Sequence, residues 1–111
     1  HDPIDKVSCR PDFAVLLYPG YLVVKDTQTL APAVRVPKHT PPFFIVHASD
    51  DKIAPSDNSV AMYLALKRAG VSAELHTYAF GGHGLGVRRG NAPCFAWSDR
   101  CVEWLKALKV L

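Results

Sequence analysis

No apolar run in the chain approaches the roughly 20 residues that a bilayer-crossing helix needs, so no membrane contact is expected. Cysteine is scarce. Cys9, Cys94 and Cys101 form no C-x-x-C and no paired His/Cys spacing, which fits no zinc template. Either one disulfide with a free thiol or three reduced thiols would satisfy that count. An excess of one charge is missing too: 13 basic against 10 acidic residues leave a net +3. Basic residues adjoin only at Lys67-Arg68 and Arg88-Arg89, so there is no phosphate-tracking stripe and nucleic acid is not an expected partner. The chain opens His1-Asp2-Pro3 without an initiator, its one methionine is Met62, and it carries no signal-peptide pattern. Such a start is expected of a processed end or a piece of a longer protein, and it leaves the compartment open.

What is present is an ordinary globular composition, 49% hydrophobic and 21% charged over 111 residues, enough for one domain. Residues 13–18 (Phe-Ala-Val-Leu-Leu-Tyr) and 43–48 (Phe-Phe-Ile-Val-His-Ala) are continuous apolar runs. Continuity rather than alternation predicts strands covered on both faces, as in a parallel sheet. Between them, residues 21–42 hold four prolines and no sustained period, which reads as a long surface connection with a short extended piece at 33–36. Ser56 is the expected N-cap of a helix over 57–69, with Asp57 in its first turn and Met62, Tyr63, Leu66 and Ala69 on one face. Gly70 is its expected stop. Residues 73–78 alternate, with Glu74 and His76 on one side, as an outer strand would. A final helix beginning near Pro93-Cys94 carries Trp97, Cys101, Trp104, Leu105 and Leu108 on one stripe. The order strand, loop, strand, helix, strand, helix is an α/β layout with about three mostly parallel strands and flanking helices.

In open parallel sheets, sites gather at the carboxyl ends of the strands. Two of the loops placed there carry chemistry. One is the bend Ser49-Asp50-Asp51 that follows residues 43–48; the other is Gly81-Gly82-His83-Gly84, which follows residues 73–78. Glycines beside an exposed histidine allow positive φ angles that other residues resist. A carboxylate and an imidazole on adjacent strand ends make an acid–base pair, in which the acid accepts the Nδ1 proton and steadies the imidazolium.

Residues 46–55 (Val-His-Ala-Ser-Asp-Asp-Lys-Ile-Ala-Pro), Asn58-Ser59, the run 64–71 and Gly81-Gly82-His83-Gly84-Leu85-Gly86 resemble the C-terminal part of an α/β-hydrolase, in the dienelactone hydrolase and acetyl-xylan-esterase-like branch. Residues 10–20 resemble the preceding strand, so the likeness spans nearly the whole chain as a single partial domain over residues 1–111, with its acid turn at 49–55 and its histidine turn at 81–84. The resemblance implies Asp51 as the triad acid and His83 as the general base, with Asp50 the rival acid; counting His-x-x-x-Asp-x-x-x-Pro from His47 reaches Asp51 and Pro55. It calls for no metal or organic cofactor. Its nucleophilic serine sits on a G-x-S-x-G elbow upstream of the acid. No such elbow occurs here: Ser8 has no flanking glycine, and Ser49 lies within the acid turn.

The plainer readings differ by residue. His47 at the end of a buried strand is expected to be structural, His76 to point outward, and Trp97 and Trp104 to face the core. Tyr18 to Tyr21 either line a cleft or simply end a strand. Cys94 and Cys101 follow the histidine, against the family order for a nucleophile. The resulting expectation is the acid-and-base part of a serine carboxylic-ester hydrolase. Its substrate would be a small ester or acetylated carbohydrate, and a preceding segment would supply the serine. The alternatives are a non-catalytic remnant that binds or oligomerises through an exposed sheet edge, and a peptidase or lactone hydrolase on the same scaffold.

Overall fold

The backbone alternates between strands and helices because its apolar residues switch between a two-sided and a one-sided pattern along the chain. A computed structural model describes residues 12–24, 29–31, 34–37, 39–84 and 92–110. Three strands, β1 (Ala14–Leu17), β2 (Phe43–Ala48) and β3 (Ala73–Tyr78), form one parallel sheet in the order β1-β2-β3. Helix α1 (Asp57–Arg68) connects β2 to β3, and a short 3-10 helix (Pro93–Ala96) leads into α2 (Trp97–Ala107).

β2 is the central strand, and its continuous hydrophobicity serves both faces. Phe44, Val46 and Ala48 pack with Cys101 and Trp104 of α2, whereas Ile45 packs with Met62 and Leu66 of α1. Phe44, Ile45 and Leu66 are fully buried, each worth about 1.5–3 kcal/mol of transfer free energy. Trp104 anchors the α2 layer, with ring centroids 5.4 Å from Phe44 and 6.0 Å from Phe13. Trp97, Leu105 and Leu108 complete the stripe that the periodicity predicts.

Several local expectations are corrected. β1 is shorter than residues 13–18 and is not covered on both faces: it is an edge strand in which Val15 is 37% exposed. Residues 34–36 join no sheet ladder, residue 33 lies outside the described residues, and among the described residues this connection carries one antiparallel bridge, Val23 to Leu30. Ser56 stands at the N-cap but is helical in φ and ψ and makes no side-chain cap bond. The amide of Asn58 bonds Pro55 O instead, through both its backbone N–H (3.1 Å) and its Nδ2 (2.8 Å). Ala69 is exposed, and the buried face of α1 includes Asn58 and Ser59. Gly70 ends α1 at φ +77°, as its position suggests. His76 is only partly outward: its side chain is 28% exposed, while its ring lies 5.1 Å from that of Phe44 and bonds Glu74 at 2.7 Å. The final helix is preceded by a 3-10 turn that begins at Pro93, a first-turn position where the missing N–H costs no helical bond. Cys94 and Cys101 are free and buried, whereas Cys9 and Arg88-Arg89 lie outside the described residues.

Candidate active site

Parallel pairing fixes where the two loops emerge. Ala48 is in register with Tyr78, and Ser49 N–H continues the ladder to Tyr78 O at 2.7 Å. The chain therefore leaves β2 and β3 at the same level, and the acid turn and the histidine bend become neighbours. His83 Nδ1 meets Asp51 Oδ2 at 2.8 Å, across 32 residues of sequence. The Asp51 side chain is inaccessible to solvent, and that of His83 is 31% exposed. Such a pair joins a buried acceptor to an imidazole that solvent reaches.

The carboxylate is held at both oxygens. Oδ1 accepts the backbone N–H groups of Ile53 and Ala54, each at 2.9 Å, an arrangement that short acidic side chains favour in turns. Oδ2 faces His83 and also His47 Nε2 at 3.3 Å. Burial works to raise the pKa of Asp51. The N–H of Ala54, the His83 hydrogen bond, the N–H of Ile53 and the charge on His83 outweigh it, and the net effect is a carboxyl below its ordinary value. An acid so placed stays ionised, as a partner for imidazolium must.

Asp50 has a different contact. Its Oδ1 accepts the backbone N–H of Gly82 at 2.7 Å, so adjacent carboxylates grip adjacent residues of the bend. The two candidate acids are therefore not geometrically equivalent: Asp51 touches the ring and Asp50 the backbone before it. Gly82 and Gly84 take φ of +64° and +87°, the conformations that make glycine the fitting residue there. Gly81 passes so close to Ala48 and Cys94 that an added Cβ would sit 3.1 Å from Ala48 Cβ and from Cys94 Sγ.

Tyr18, just beyond β1, adds a third wall. Its ring lies edge-on to His83 with centroids 4.6 Å apart, and its φ of +35° is uncommon for a residue with a side chain. Asn58 secures the connection that follows, because its Oδ1 accepts Leu22 N–H at 2.8 Å and Val23 N–H at 3.1 Å. His47 is structural in the sense expected, bonded to Ala54 O at 2.8 Å and Ser59 Oγ at 2.6 Å. Its approach to Asp51 has no signal in the sequence beyond the i, i+4 spacing. Burial first, then the charge of Glu74, pushes the Cys101 thiol up, the opposite of what a nucleophile needs. Among the described residues no group of His, Cys, Asp or Glu could hold a metal ion.

The model of the prolyl oligopeptidase family matches residues 19–109. The chain belongs to that family. Its three parallel strands and two helices are a portion of the α/β-hydrolase fold, in keeping with the acetyl-xylan-esterase-like resemblance. An acetylxylan esterase of Xylanibacter ruminicola is 28% identical over 126 residues, covering 89% of this chain and 25% of that protein. The crystal structure of an acetyl ester-xyloside bifunctional hydrolase from Caldicellulosiruptor lactoaceticus superposes with a TM-score of 0.84 at 32% identity, over 97% of this chain and 46% of that one. MGS-M1, an α/β-hydrolase from a deep-sea metagenome library, shares the fold with a TM-score of 0.79 at 24% identity, over 94% of this chain and 47% of its own. The chain thus spans about a quarter of the curated relative and just under half of each of these solved structures.

Proposed function

We propose that this chain supplies the acid and the general base of a serine carboxylic-ester hydrolase acting on small esters or acetylated carbohydrates. The observation that carries the reading is the 2.8 Å contact between His83 Nδ1 and the buried, ionised Asp51 at the carboxyl ends of adjacent parallel strands. Relatives named as an acetylxylan esterase and an acetyl ester-xyloside hydrolase support an ester as the substrate class. In this reading a serine from a preceding segment attacks the ester carbonyl. His83 takes the hydroxyl proton at Nε2, since Nδ1 is committed to Asp51, and returns it to the departing alcohol. Water then attacks the acyl-serine by the same route, with Asp51 ionised throughout. The exposed edge at Val15 of β1 is where the strand of that segment would pair.

The test is turnover of p-nitrophenyl acetate and of acetylated xylan by the protein in its full natural length, beside residues 1–111 alone. The full-length protein should hydrolyse both, and His83→Ala should remove at least a thousandfold of kcat, on the order of the loss of a triad base. The isolated chain should be inactive. Full-length turnover that survives His83→Ala refutes the assignment. Cleavage of a prolyl peptide, with no ester turnover, would move the substrate class to that of the family's namesake.

A further inference from the structure

The chain leaves β1 through a conformation that the end of a strand does not require. Tyr18 has a φ of +35° and Tyr21 one of +60°, values that bulky side chains resist. The residue before a proline is ordinarily extended, so Pro19 makes the departure at Tyr18 more unusual still. Strain of this kind persists only where the surroundings over-determine it. Here they hold the segment along its length. Tyr18 N–H bonds Val46 O of β2 at 2.8 Å, and Pro19 is buried. Gly20 lies against the acid turn, where an added Cβ would meet Ala54 Cβ at 3.5 Å. Beyond it, Asn58 Oδ1 accepts the N–H groups of Leu22 and Val23.

A glycine would take the φ of Tyr18 without strain, so the backbone gives no reason for a tyrosine there. The side chain does. It packs against the buried cluster that β2 forms with α2, and its ring stands at 64° to the imidazole of His83 with centroids 4.6 Å apart. Edge-on contact of this kind is a favoured arrangement of aromatic rings. The bond to Asp51 fixes Nδ1 of His83, but one hydrogen bond does not fix the plane of a ring carried on a glycine-flanked bend.

We propose that Tyr18 is a positioning residue for His83: its ring sets the plane of the imidazole, and the strained backbone is what puts the ring there. The purpose of this contact rests on the ester-hydrolase reading, in which Nε2 exchanges a proton with the serine and the plane of the ring decides where Nε2 points. In this role Tyr18 touches no reacting atom, so its loss should lower kcat and leave KM little changed.

The experiment compares Tyr18→Ala, Tyr18→Gly and Tyr18→Phe in the full-length protein. Alanine and glycine both remove the aromatic ring, but glycine alone relieves the backbone. Tyr18→Gly should therefore melt at or above Tyr18→Ala, the reverse of the order found where φ is negative. Both should lose about 10- to 100-fold in kcat toward p-nitrophenyl acetate. Tyr18→Phe drops only the hydroxyl and should recover most of that loss. NMR of the labelled histidine ring, assigned by its loss in His83→Gln, reads the contact without substrate. The ring-proton shifts of His83 should move in both truncations and stay near wild type in Tyr18→Phe. Wild-type kcat and wild-type His83 shifts in the truncated proteins overturn the proposal. So does a Tyr18→Phe protein as impaired as Tyr18→Ala, which would assign the effect to the hydroxyl. A raised KM at constant kcat also overturns it, since Tyr18 would then be a substrate contact. Tyr18→Gly melting well below Tyr18→Ala would show that the backbone stores no strain. If Tyr18→Ala does not fold, Tyr18→Gly and Tyr18→Phe still give the rate and the shifts. Absence of ester turnover in wild type would remove the ester-hydrolase reading, and the His83 shifts would still decide whether Tyr18 holds the imidazole.

Discussion

Gly81→Ala is the substitution whose effect can be followed furthest from coordinates to rate. The new Cβ would lie 3.1 Å from Ala48 Cβ, 3.1 Å from Cys94 Sγ and 3.2 Å from Cys94 Cβ. Carbon atoms in contact settle at about 3.5–4.0 Å, so roughly half an ångström is missing on two sides. Neither neighbour can give way. Ala48 is fully buried on the central strand and Cys94 is 1% exposed, so the bend itself must move. Overpacking of this kind costs about 1–3 kcal/mol, and the φ of +159° at Gly81 adds strain for an L side chain. The expected loss of about 2 kcal/mol lowers the melting temperature by roughly 5 °C or more. It also displaces His83, two residues on, relative to Asp51. On the proposed ester-hydrolase reading, a misplacement approaching 1 Å costs on the order of a hundredfold in rate, so a 10- to 100-fold fall in kcat/KM is expected. Urea unfolding, ester kinetics and the His83 Nδ1–H resonance read the three consequences separately. Cys94→Ala removes one of the three close atoms, so the double variant should be more stable than the sum of the single effects by about 0.5–1 kcal/mol. An additive double variant, or a Gly81→Ala protein with wild-type stability and an unmoved resonance, would refute the packing argument.

Two further expectations concern the paired carboxylates. Asp50→Ala removes the acceptor for the Gly82 N–H, so hydrogen exchange at that amide should accelerate several-fold, whereas Asp50→Asn keeps an acceptor oxygen and should stay near wild type. Equal exchange in both variants would mean that the 2.7 Å contact holds nothing. Asp51 governs the acid limb of stability. Its folded carboxyl lies below the ordinary value of 3.8, so its contribution is present above that value and lost as pH falls through the lower folded one. The urea midpoint of wild type should therefore drop more steeply below about pH 4 than that of Asp51→Asn. Parallel curves would show that the carboxylate contributes no such linkage.

The strands and the candidate pair were legible for a simple reason: β2 is buried on both faces, and a strand so placed must be apolar throughout. β2 and β3 accordingly run over 43–48 and 73–78, as their patterns predict. β1 was overextended because the same pattern does not reveal that it lies at an edge, nor that Tyr18 turns to a positive φ while its N–H still bonds Val46 O at 2.8 Å. The N-cap rule misread Ser56, since Pro55 O already receives both amide groups of Asn58. The contacts that give Asp50 and His47 their places depend on sheet register and on the path of the acid turn. Composition carries neither, so Asp50 read only as a rival to Asp51, and His47 only as a core histidine.

The equal span of the two bonds, Asp50 to Gly82 and Asp51 to His83, works as a ruler laid along the β2–α1–β3 unit. A slip of β3 by two residues would preserve every inward-facing side chain yet carry the histidine bend about 7 Å from the acid. The hydrophobic core tolerates that error and the site does not. Two charged side chains on one turn thus proofread the alignment of a strand whose apolar pattern alone would accept more than one answer.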